Sequence, residues 1–347
     1  MDENQLNKKL SDIPVSILDL AGVKAGSTAT ETFKNSLELA QHAEKWGYTR
    51  YWFAEHHNME SIASSATSVL IGYVAGGTST IRVGSGGVML PNHAPLIIAE
   101  QFGTLESLYP GRIDLGLGRA PGTDQLTSFA LRRNLKGSVD DFPQDVIELR
   151  NYFKPEIPNH KVRAFPGEGL EIPIWLLGSS TYSAQLAAIL GMPFAFASHF
   201  APTHLQAALK IYRDTFKPSE TLKAPYAMAC VNVIAADTDE QAQYLATSFY
   251  QLAMGIVRGT TKPIQPPVES MDDIWTDYEK VVVHQMMQYA FIGSRETVQH
   301  GLQKFLDETG VDEIMVVSHL YDLQDKLKSY ELISNLFKKS NSTYGSY

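Results

Sequence analysis

Short apolar runs alternate with longer amphipathic runs along the sequence, and this alternation constrains the fold more than any other feature. Eight apolar runs have the length and composition of strands, and the segments between them carry apolar residues near helical spacing. The predicted strands cover residues 13–20, 49–54, 81–90, 113–118, 172–177, 193–197, 225–235 and 314–318. The predicted helices cover residues 30–46, 64–76, 95–108, 140–153, 180–190, 203–216, 238–254 and 323–337.

Alternation of this kind predicts a parallel sheet, for which two architectures compete. A doubly wound open sheet usually has about five to seven strands, whereas eight strand–helix units in 347 residues fit a closed barrel better. We therefore predict an α/β fold, a (β/α)8 TIM barrel, with residues 1–347 as a single domain. Residues 120–140 and 257–275 interrupt the alternation. Each is interpreted either as a lid at the C-terminal face of the barrel or as a tolerated surface insertion.

Composition and charge narrow the functional classes. Hydrophobic residues make up 44% of the chain and charged residues 19%, which is enough apolar material for a large core. The formal charge of −9, without a basic block, argues against partners such as nucleic acid or an anionic membrane. The single cysteine, Cys230, excludes an intrachain disulfide and is predicted to lie in the core. With no secretory signal and no bilayer-spanning stretch, the sequence predicts a soluble cytoplasmic protein.

Three ionisable residues, Glu55, His56 and His57, directly follow the second predicted strand. The C-terminal ends of barrel strands form the active-site face, and an imidazole there can transfer a proton near neutral pH. Burial of one histidine and exposure of the other explains the motif equally well. A metal site is disfavoured, because the pair lacks the i, i+4 spacing of a helical zinc motif. His199 follows the sixth predicted strand and either faces the same pocket or serves in packing.

Glycines and hydroxyls mark the ends of the next strands. Residues 84–87, Gly-Ser-Gly-Gly, either allow close approach of a ligand to the backbone or form a tight turn or bulge. Residues 116–122 match a dinucleotide fingerprint only weakly, because Pro-Gly follows too soon for a helix to open. Arg119 within them is interpreted as an anion clamp or as part of a structural salt bridge. Four hydroxyl residues crowd the start of the next predicted helix: Ser179, Ser180, Thr181 and Ser183. Together they favour a phosphate-binding site, although an N-cap role explains any one of them alone.

In this order, four motifs resemble the bacterial luciferase-like flavin monooxygenases, and specifically their luciferase-α-like subgroup of unassigned substrate. The motifs are Trp-Phe-Ala-Glu-His-His at 52–57, Val-Gly-Ser-Gly-Gly-Val-Met-Leu-Pro at 83–91, the segment 111–124, and Pro-Ile-Trp-Leu-Leu-Gly-Ser-Ser at 173–180. The resemblance covers nearly the whole chain and reaches Thr-Gly-Val-Asp-Glu-Ile-Met at 309–315. It implies a (β/α)8 barrel that uses FMN, or the deazaflavin F420 as in some branches of the family.

The resemblance also implies roles for individual residues. His56 matches the histidine that supports catalysis beside the flavin. Gly86 and Gly87 match the pair that lies against the isoalloxazine ring, often through a non-prolyl cis peptide. Gly118 stands where luciferase has a reactive cysteine, which argues against efficient light emission. The residues that match the phosphate ligands are Arg119, Ser180 and Ser183. The further candidates for the substrate pocket are Glu55, His57 and His199.

The implied reaction is a monooxygenation. Reduced FMN reacts with O2 to give a flavin C4a-peroxide, which attacks a small organic substrate such as an aldehyde or another carbonyl compound. His56 supplies or removes a proton, and Glu55 or His57 holds its tautomer. The sequence contains no evident nicotinamide site, so we expect a separate NAD(P)H flavin reductase as a partner, and the family implies a homodimer. Two alternatives stay open: an F420-dependent hydride-transfer oxidoreductase and a non-catalytic flavin-binding relative.

Overall fold

Parallel strands alternate with helices through the computed structural model of the chain, which describes residues 8–120, 122–131, 139–155 and 161–339. The strands are β1 (Val15–Asp19), β2 (Arg50–Phe53), β3 (Arg82–Met89), β4 (Ile113–Gly118), β5 (Ile174–Gly178), β6 (Phe194–Phe196), β7 (Ala227–Ala236), β8 (Ala290–Ser294) and β9 (Glu313–Val317). The helices are α1 (Ala29–Trp46), α2 (Thr67–Gly76), α3 (Pro95–Leu108), α4 (Gln125–Leu131), α5 (Phe142–Tyr152), α6 (Thr181–Leu190), α7 (Leu205–Thr215), α8 (Asp239–Val257), α9 (Asp277–Met286), α10 (Arg295–Thr309) and α11 (Leu323–Ser334).

Eight of these strands close into a barrel. Strands β1 to β6 are neighbours in chain order, β7 pairs with β6, and β9 pairs with both β7 and β1. Every pairing between these strands is parallel. The predicted (β/α)8 barrel is therefore confirmed, with each of its eight strands near its predicted place. That residues 1–347 form a single domain stays a prediction.

Strand β8 is an addition that the sequence pattern did not predict. It pairs with the second half of β7, from Asn232 to Ala236, while the first half of β7 pairs with β9. The long strand β7 thus belongs to the barrel at one end and to a two-stranded extension at the other. Helices α8 and α9 pack on this extension and form a second apolar cluster beside the barrel. None of the helices in the described residues is long and apolar enough to cross a membrane.

Local sequence signals determine where several helices begin and end. The side chain of Thr28 accepts a hydrogen bond from the backbone N–H of Glu31 and caps α1. The same helix ends at Gly47, whose φ of 88° is in the left-handed region that favours glycine. Thr276 and Glu279 form a reciprocal capping box at the start of α9. These local signals set both ends of α1 and the start of α9.

The amino end of the barrel interior is closed by a buried ionic network. The guanidinium of Arg50 lies 2.8 Å from a carboxylate oxygen of Asp114 and 3.0 Å from one of Glu313. The indole N–H of Trp52 also donates to Asp114, over 3.1 Å. Above this network the interior is filled by an apolar layer, which consists of Leu18, Trp52, Ala54, Trp175, Ala195, Met228, Cys230, Met315 and Val317. A site inside this barrel therefore has to lie at the carboxyl end of the strands.

Candidate active site

Four polar side chains that are distant in the sequence lie together above the apolar layer. His56 follows β2, His199 follows β6, Asn232 belongs to β7 and His319 follows β9. Because alternate residues of a strand point to the same face, each continues the phase of the interior residues that precede it. Those interior residues are Trp52 and Ala54, Ala195, Met228 and Cys230, and Met315 and Val317. We call His56, His199, Asn232 and His319 the mouth ring.

The histidines of the mouth ring are uncharged at neutral pH. Burial, followed by repulsion from His319 and His56, lowers the pKa of His199 to about 3. Burial and the nearby Lys326 lower the pKa of His319 to about 4. Burial also lowers the pKa of His56 below its usual 6.5, and the neighbouring Glu55 carboxylate opposes that effect only in part. A neutral imidazole can accept a proton, and so His56 is suited to act as a base.

Three polar atoms of the mouth ring are buried without a hydrogen-bond partner among the described residues. They are Nδ1 of His56, Nδ1 of His199 and Oδ1 of Asn232. The other polar atom of the Asn232 amide, Nδ2, donates to the backbone oxygen of His199 over 2.6 Å. Buried polar atoms without a partner cost free energy, and functional sites are where proteins retain them. These unsatisfied atoms make the carboxyl end of the barrel interior a candidate site.

The Glu55 carboxylate joins the segments that follow β2 and β3. Its Oε1 accepts hydrogen bonds from Nε2 of His57 over 2.9 Å and from Nε2 of His93 over 2.8 Å. Its Oε2 accepts from the backbone N–H of Met89 over 3.0 Å. Burial by itself would raise the pKa of Glu55, but these hydrogen bonds lower it to about 2. The expectation that Glu55 or His57 holds the tautomer of His56 was wrong, because Nδ1 of His56 has no partner among the described residues.

Closely packed glycines form the β3 and β4 side of the barrel. The peptide between Gly86 and Gly87 is cis, and the register of β3 against β4 shifts between Ser85 and Val88. A Cβ on Gly87 would lie 2.7 Å from the backbone oxygen of Gly116, and one on Gly86 would lie 2.8 Å from the side chain of Leu18. The register shift agrees with the bulge interpretation, and the missing Cβ atoms let β3 and β4 pack closely; Gly87 and Gly116 are buried, and Gly86 is half-buried. We call Gly86, Gly87 and Gly116 the glycine wall.

Next to the glycine wall, Arg119 lies at the amino end of α6. Its guanidinium carbon is 4.1 Å from the ring centre of Tyr182, the second residue of that helix. Arg119 has no ion pair among the residues that the structure describes, so the structural salt-bridge interpretation finds no support there. Ser180 is the N-cap of α6, but its hydroxyl makes no capping hydrogen bond. We call Arg119 and the amino end of α6, including Ser179, Ser180 and Ser183, the anion corner.

The members of the anion corner differ in their exposure. Ser183 is buried against Gly178, the last residue of β5, where a Cβ would collide with the serine side chain. Ser179 and Ser180 are half-buried. The backbone N–H groups in the first turn of a helix have no acceptor within the helix, and with a guanidinium beside them they favour an anion. The sequence-predicted phosphate ligands therefore lie on adjoining elements at the same end of the barrel.

Both interrupting segments contact loops at the carboxyl end of the barrel. In the segment 257–275, Ile264 forms a parallel bridge with the segment after β1. The backbone N–H of Ala25 donates to the oxygen of Ile264, and the N–H of Ile264 donates to the oxygen of Val23, each over 2.8 Å. In 120–140, the hydroxyl of Thr123 donates to the backbone oxygen of His57 over 3.1 Å. The segment 120–140 also contains helix α4. Residues 121 and 132–138 of this segment lie outside the described residues. These contacts place both insertions at the C-terminal face, as predicted.

Three residues of the site did not follow from sequence reasoning: His93, Asn232 and His319. For His319 and Asn232 a signal exists, since each continues the period-two pattern of interior residues on its strand. His93 has no comparable signal, because it follows a 3-10 turn and meets Glu55 only through the barrel. Among the described residues no group of three or more histidine, cysteine, aspartate or glutamate side chains is arranged to hold a metal ion.

Comparison with known proteins identifies the family. The family model described as luciferase-like monooxygenase matches residues 13–313, which include every barrel strand except the last four residues of β9. The chain belongs to the luciferase-like monooxygenase family. A relative in Escherichia coli strain K12, named luciferase-like monooxygenase, is 58% identical over 320 residues, or 92% of this chain and 96% of that protein. The luciferase-like resemblance seen in the sequence is thus confirmed.

Two further relatives are each 34% identical to this chain. The N-acetyl-S-alkylcysteine monooxygenase of Bacillus subtilis is 34% identical over 332 residues, which are 93% of this chain and 98% of that one. The crystal structure of apo-MsnO8 is 34% identical, with a TM-score of 0.84, and the match covers 94% of this chain and 98% of that chain.

Two more distant structures share the fold alone. One is the oxygenating constituent of 3,6-diketocamphane monooxygenase from Pseudomonas putida in complex with FMN, at 19% identity and a TM-score of 0.70 over 94% and 97% of the chains. The other is an F420-dependent secondary alcohol dehydrogenase, at 14% identity and a TM-score of 0.69. That match covers 94% of this chain and 100% of the other.

Proposed function

We propose that this luciferase-like protein is an FMN-dependent monooxygenase that uses reduced FMN and O2 to oxygenate a small organic substrate. One observation carries the proposal: the glycine wall and the anion corner adjoin at the barrel mouth, on β3, β4 and the start of α6. A flat ring bearing a phosphate chain needs these two surfaces next to each other. The named activities of relatives, including the N-acetyl-S-alkylcysteine monooxygenase, support oxygenation as the reaction type.

The residues present fit FMN. In the glycine wall, Gly86 is half-buried and carries no Cβ, and we assign it and Gly87 as the candidate contacts of a planar ring system. The anion corner offers a guanidinium without an ion pair among the described residues, helix N–H groups and an N-cap hydroxyl outside the capping bond. Arg119, Ser179, Ser180 and Ser183 would hold the phosphate. Reduced FMN, when bound, supplies the two electrons with which O2 is activated.

The chain itself contributes proton transfer and exclusion of water. His56 is neutral and presents an unpartnered buried Nδ1, so it can take up or release the proton of the oxygenation step. The apolar layer beneath and the two insertions above limit the access of water, which would otherwise consume the activated oxygen. Glu55 keeps the segments after β2 and β3 in place through His57, His93 and Met89.

The test is oxygenation by the purified protein with photoreduced FMN. Candidate aldehydes, ketones and thioethers are added anaerobically, 18O2 is admitted, and products are analysed by mass spectrometry. We expect one 18O atom per product with the parent protein, and much less labelled product with Arg119→Ala at the same limiting FMN concentration. Oxidation without 18O incorporation, or turnover with F420 alone, would replace the proposal by hydride transfer. FMN binding without any product would favour a non-catalytic flavin-binding relative.

Electrons are proposed to come from a separate NAD(P)H flavin reductase. Between residues 15 and 317 the described elements are the eight barrel strands, their helices and the short β8 extension, and none of them forms a second nucleotide-binding domain. Anaerobic mixing of the protein with FMN and NADPH should therefore leave the flavin absorbance near 450 nm (about that value for a two-electron flavin carrier) unchanged until a reductase is added. Rapid bleaching by the protein alone would contradict this proposal.

A homodimer is proposed as the assembly. Helix α2 contains no charged residue, and Val69 and Tyr73, one helical turn apart, are exposed on it. A charge-free helix with an exposed apolar face suits an interface with a second copy. Light scattering at micromolar concentration should give twice the 38.4 kDa of the chain, and Val69→Glu should shift it to the monomer.

A further inference from the structure

Met89, the last residue of β3, lies opposite Gly118 in the pairing of β3 with β4. In β4, the side chain of Asp114 faces the barrel interior, where it accepts a hydrogen bond from the indole of Trp52. Because alternate residues of a strand share a face, Gly118 faces the interior as well. A Cβ on Gly118 would lie 2.8 Å from the sulfur of Met89 and 3.5 Å from its terminal methyl carbon. The Met89 thioether therefore lies over the interior face of β4, at the carboxyl end of that strand.

The Met89 side chain also reaches the segment after β4. A Cβ on Gly122 would lie 3.1 Å from Cγ of Met89 and 3.7 Å from its terminal methyl carbon. Gly118 and Gly122 flank Arg119 in the sequence, so Met89 packs against both sides of the segment that carries this arginine. The backbone N–H of Met89 donates to Oε2 of Glu55 over 3.0 Å, which fixes the end of β3. Met89 thus lies next to both the glycine wall and the anion corner.

A thioether at this place meets a specific chemical hazard, because peroxides oxidise methionine to its sulfoxide. An electron pair of the sulfur forms the new S–O bond, the O–O bond of hydrogen peroxide breaks, and water leaves. Reduced FMN and O2, the reactants of the proposed function, give oxidised FMN and hydrogen peroxide when no organic substrate takes up the oxygen. The proposed function therefore supplies the oxidant at the same end of the barrel.

The added oxygen has little room beside the sulfur of Met89. The thioether already packs against the backbone of Gly118 and Gly122, and a sulfoxide is larger, polar and in need of a hydrogen-bond donor. The segment after β4 has to move away from β3 to admit it, and Arg119 moves with that segment. We propose that Met89 is an oxidation site, and that its conversion to the sulfoxide by peroxide weakens FMN binding by displacing Arg119. The effect on FMN rests on the proposed function.

The other methionines provide internal comparisons. Met59 and Met286 are half-buried, as Met89 is. Met286 is the last residue of α9, which packs on the two-stranded extension beside the barrel, and it is therefore the matched reference site. The remaining methionines of the described residues are buried: Met192, Met228, Met254, Met271, Met287 and Met315.

The first experiment measures oxidation at each methionine of the full chain by peptide mass spectrometry. Reduced FMN and 18O2 are supplied without an organic substrate, and catalase removes peroxide that has left the protein. We expect at least about fivefold more labelled sulfoxide at Met89 than at Met286, because the oxidant forms beside Met89. An equal or smaller yield at Met89 overturns the proposal.

A second arm uses added hydrogen peroxide without flavin. Met89 should be oxidised at least as fast as Met286, and a Met89 that stays intact while Met286 is oxidised overturns the proposal. This arm separates the inference from the proposed function: if the parent protein does not bind FMN, the proposed function fails, whereas added peroxide still decides whether Met89 is an oxidation site.

Variants connect the oxidation with FMN binding. Met89→Leu removes the oxidisable sulfur at similar volume, and Met286→Leu does the same outside the barrel. After peroxide treatment, the parent protein and Met286→Leu should bind FMN at least about fivefold more weakly than before, whereas the affinity of Met89→Leu should not change. An equal loss in Met89→Leu overturns the proposal, as does unchanged affinity in the oxidised parent protein.

Met89→Gln is the second variant, and it serves if Met89→Leu does not fold. Its amide places a polar group where the sulfoxide would lie, so it should bind FMN at least about fivefold more weakly than the parent without any peroxide. Parent-like FMN affinity in folded Met89→Gln counts against displacement of Arg119 and overturns the proposed effect on binding.

Discussion

Replacing Arg119 by alanine tests the anion corner. The Arg119 guanidinium is 4.1 Å from the ring centre of Tyr182 and has no ion pair among the described residues, so its charge is available to a ligand. Loss of charge-assisted hydrogen bonds to phosphate costs about 2–3 kcal/mol. At about 1.4 kcal/mol per tenfold change, the dissociation constant for FMN should rise about 30-fold to 160-fold.

The neighbouring ring contributes less. Tyr182→Leu removes the stacking that orients the guanidinium, which is worth about 0.5–1 kcal/mol at a partly exposed site, so FMN should bind about twofold to fivefold more weakly. Arg119→Lys keeps the charge but loses the planar fork, and its affinity should lie between those of the parent and Arg119→Ala. This order of affinities distinguishes a phosphate clamp from a general effect of positive charge.

The assay is quenching of FMN fluorescence on titration with protein, at low and high salt. Lys304→Ala, which removes one positive charge from the exposed face of α10, is the control and should bind FMN like the parent. Urea unfolding of Arg119→Ala should change by less than about 1 kcal/mol, because only the stacking contact is lost. An affinity within about threefold of the parent in folded Arg119→Ala would refute the assigned role.

Three further predictions follow from the site and the barrel. His56→Ala should retain FMN affinity and lower product yield about 10²–10⁴-fold, the usual worth of a positioned proton-transfer group, as measured by single-turnover product mass; full activity would move the role elsewhere. Gly87→Ala should lower the free energy of unfolding by about 1–3 kcal/mol in urea titrations, because its Cβ would lie 2.7 Å from the Gly116 oxygen; an unchanged midpoint would contradict this. The free energy of unfolding should also fall as pH decreases from about 6.5 toward 4, because the unfolded chain then binds protons that His199 and His319, with folded pKa values of about 3 and about 4, bind only at lower pH. The slope of this free energy should be about 1 kcal/mol per pH unit for each histidine. If the double variant His199→Phe and His319→Phe kept the parent's slope between pH 7 and 5, the prediction would be contradicted.

Much of the barrel follows from the sequence alone. Apolar runs predict all eight barrel strands, and helical spacing predicts the helices observed as α1, α2, α3, α5, α6, α7, α8 and α11. Strand β8 escapes this reasoning because four of its five residues are half-buried and because it is joined directly to α10. Helices α9 and α10 do carry readable signals: Thr276 and Glu279 cap the first, and Ser294 and Gly310 bound the second.

The candidate site divides in the same way. The motifs around His56, Gly86, Gly87 and Arg119 are local and could be recognised in the sequence, because each one lies within a strand or just after it. The tertiary structure decided which of these side chains meet. Glu55 bonds His57 and His93 and not His56, and His199 lies near His319, 120 residues further along the chain. Periodicity reports the phase of a side chain within its own strand, but neighbours across the mouth depend on the closure and register of the barrel, which involve all eight strands at once.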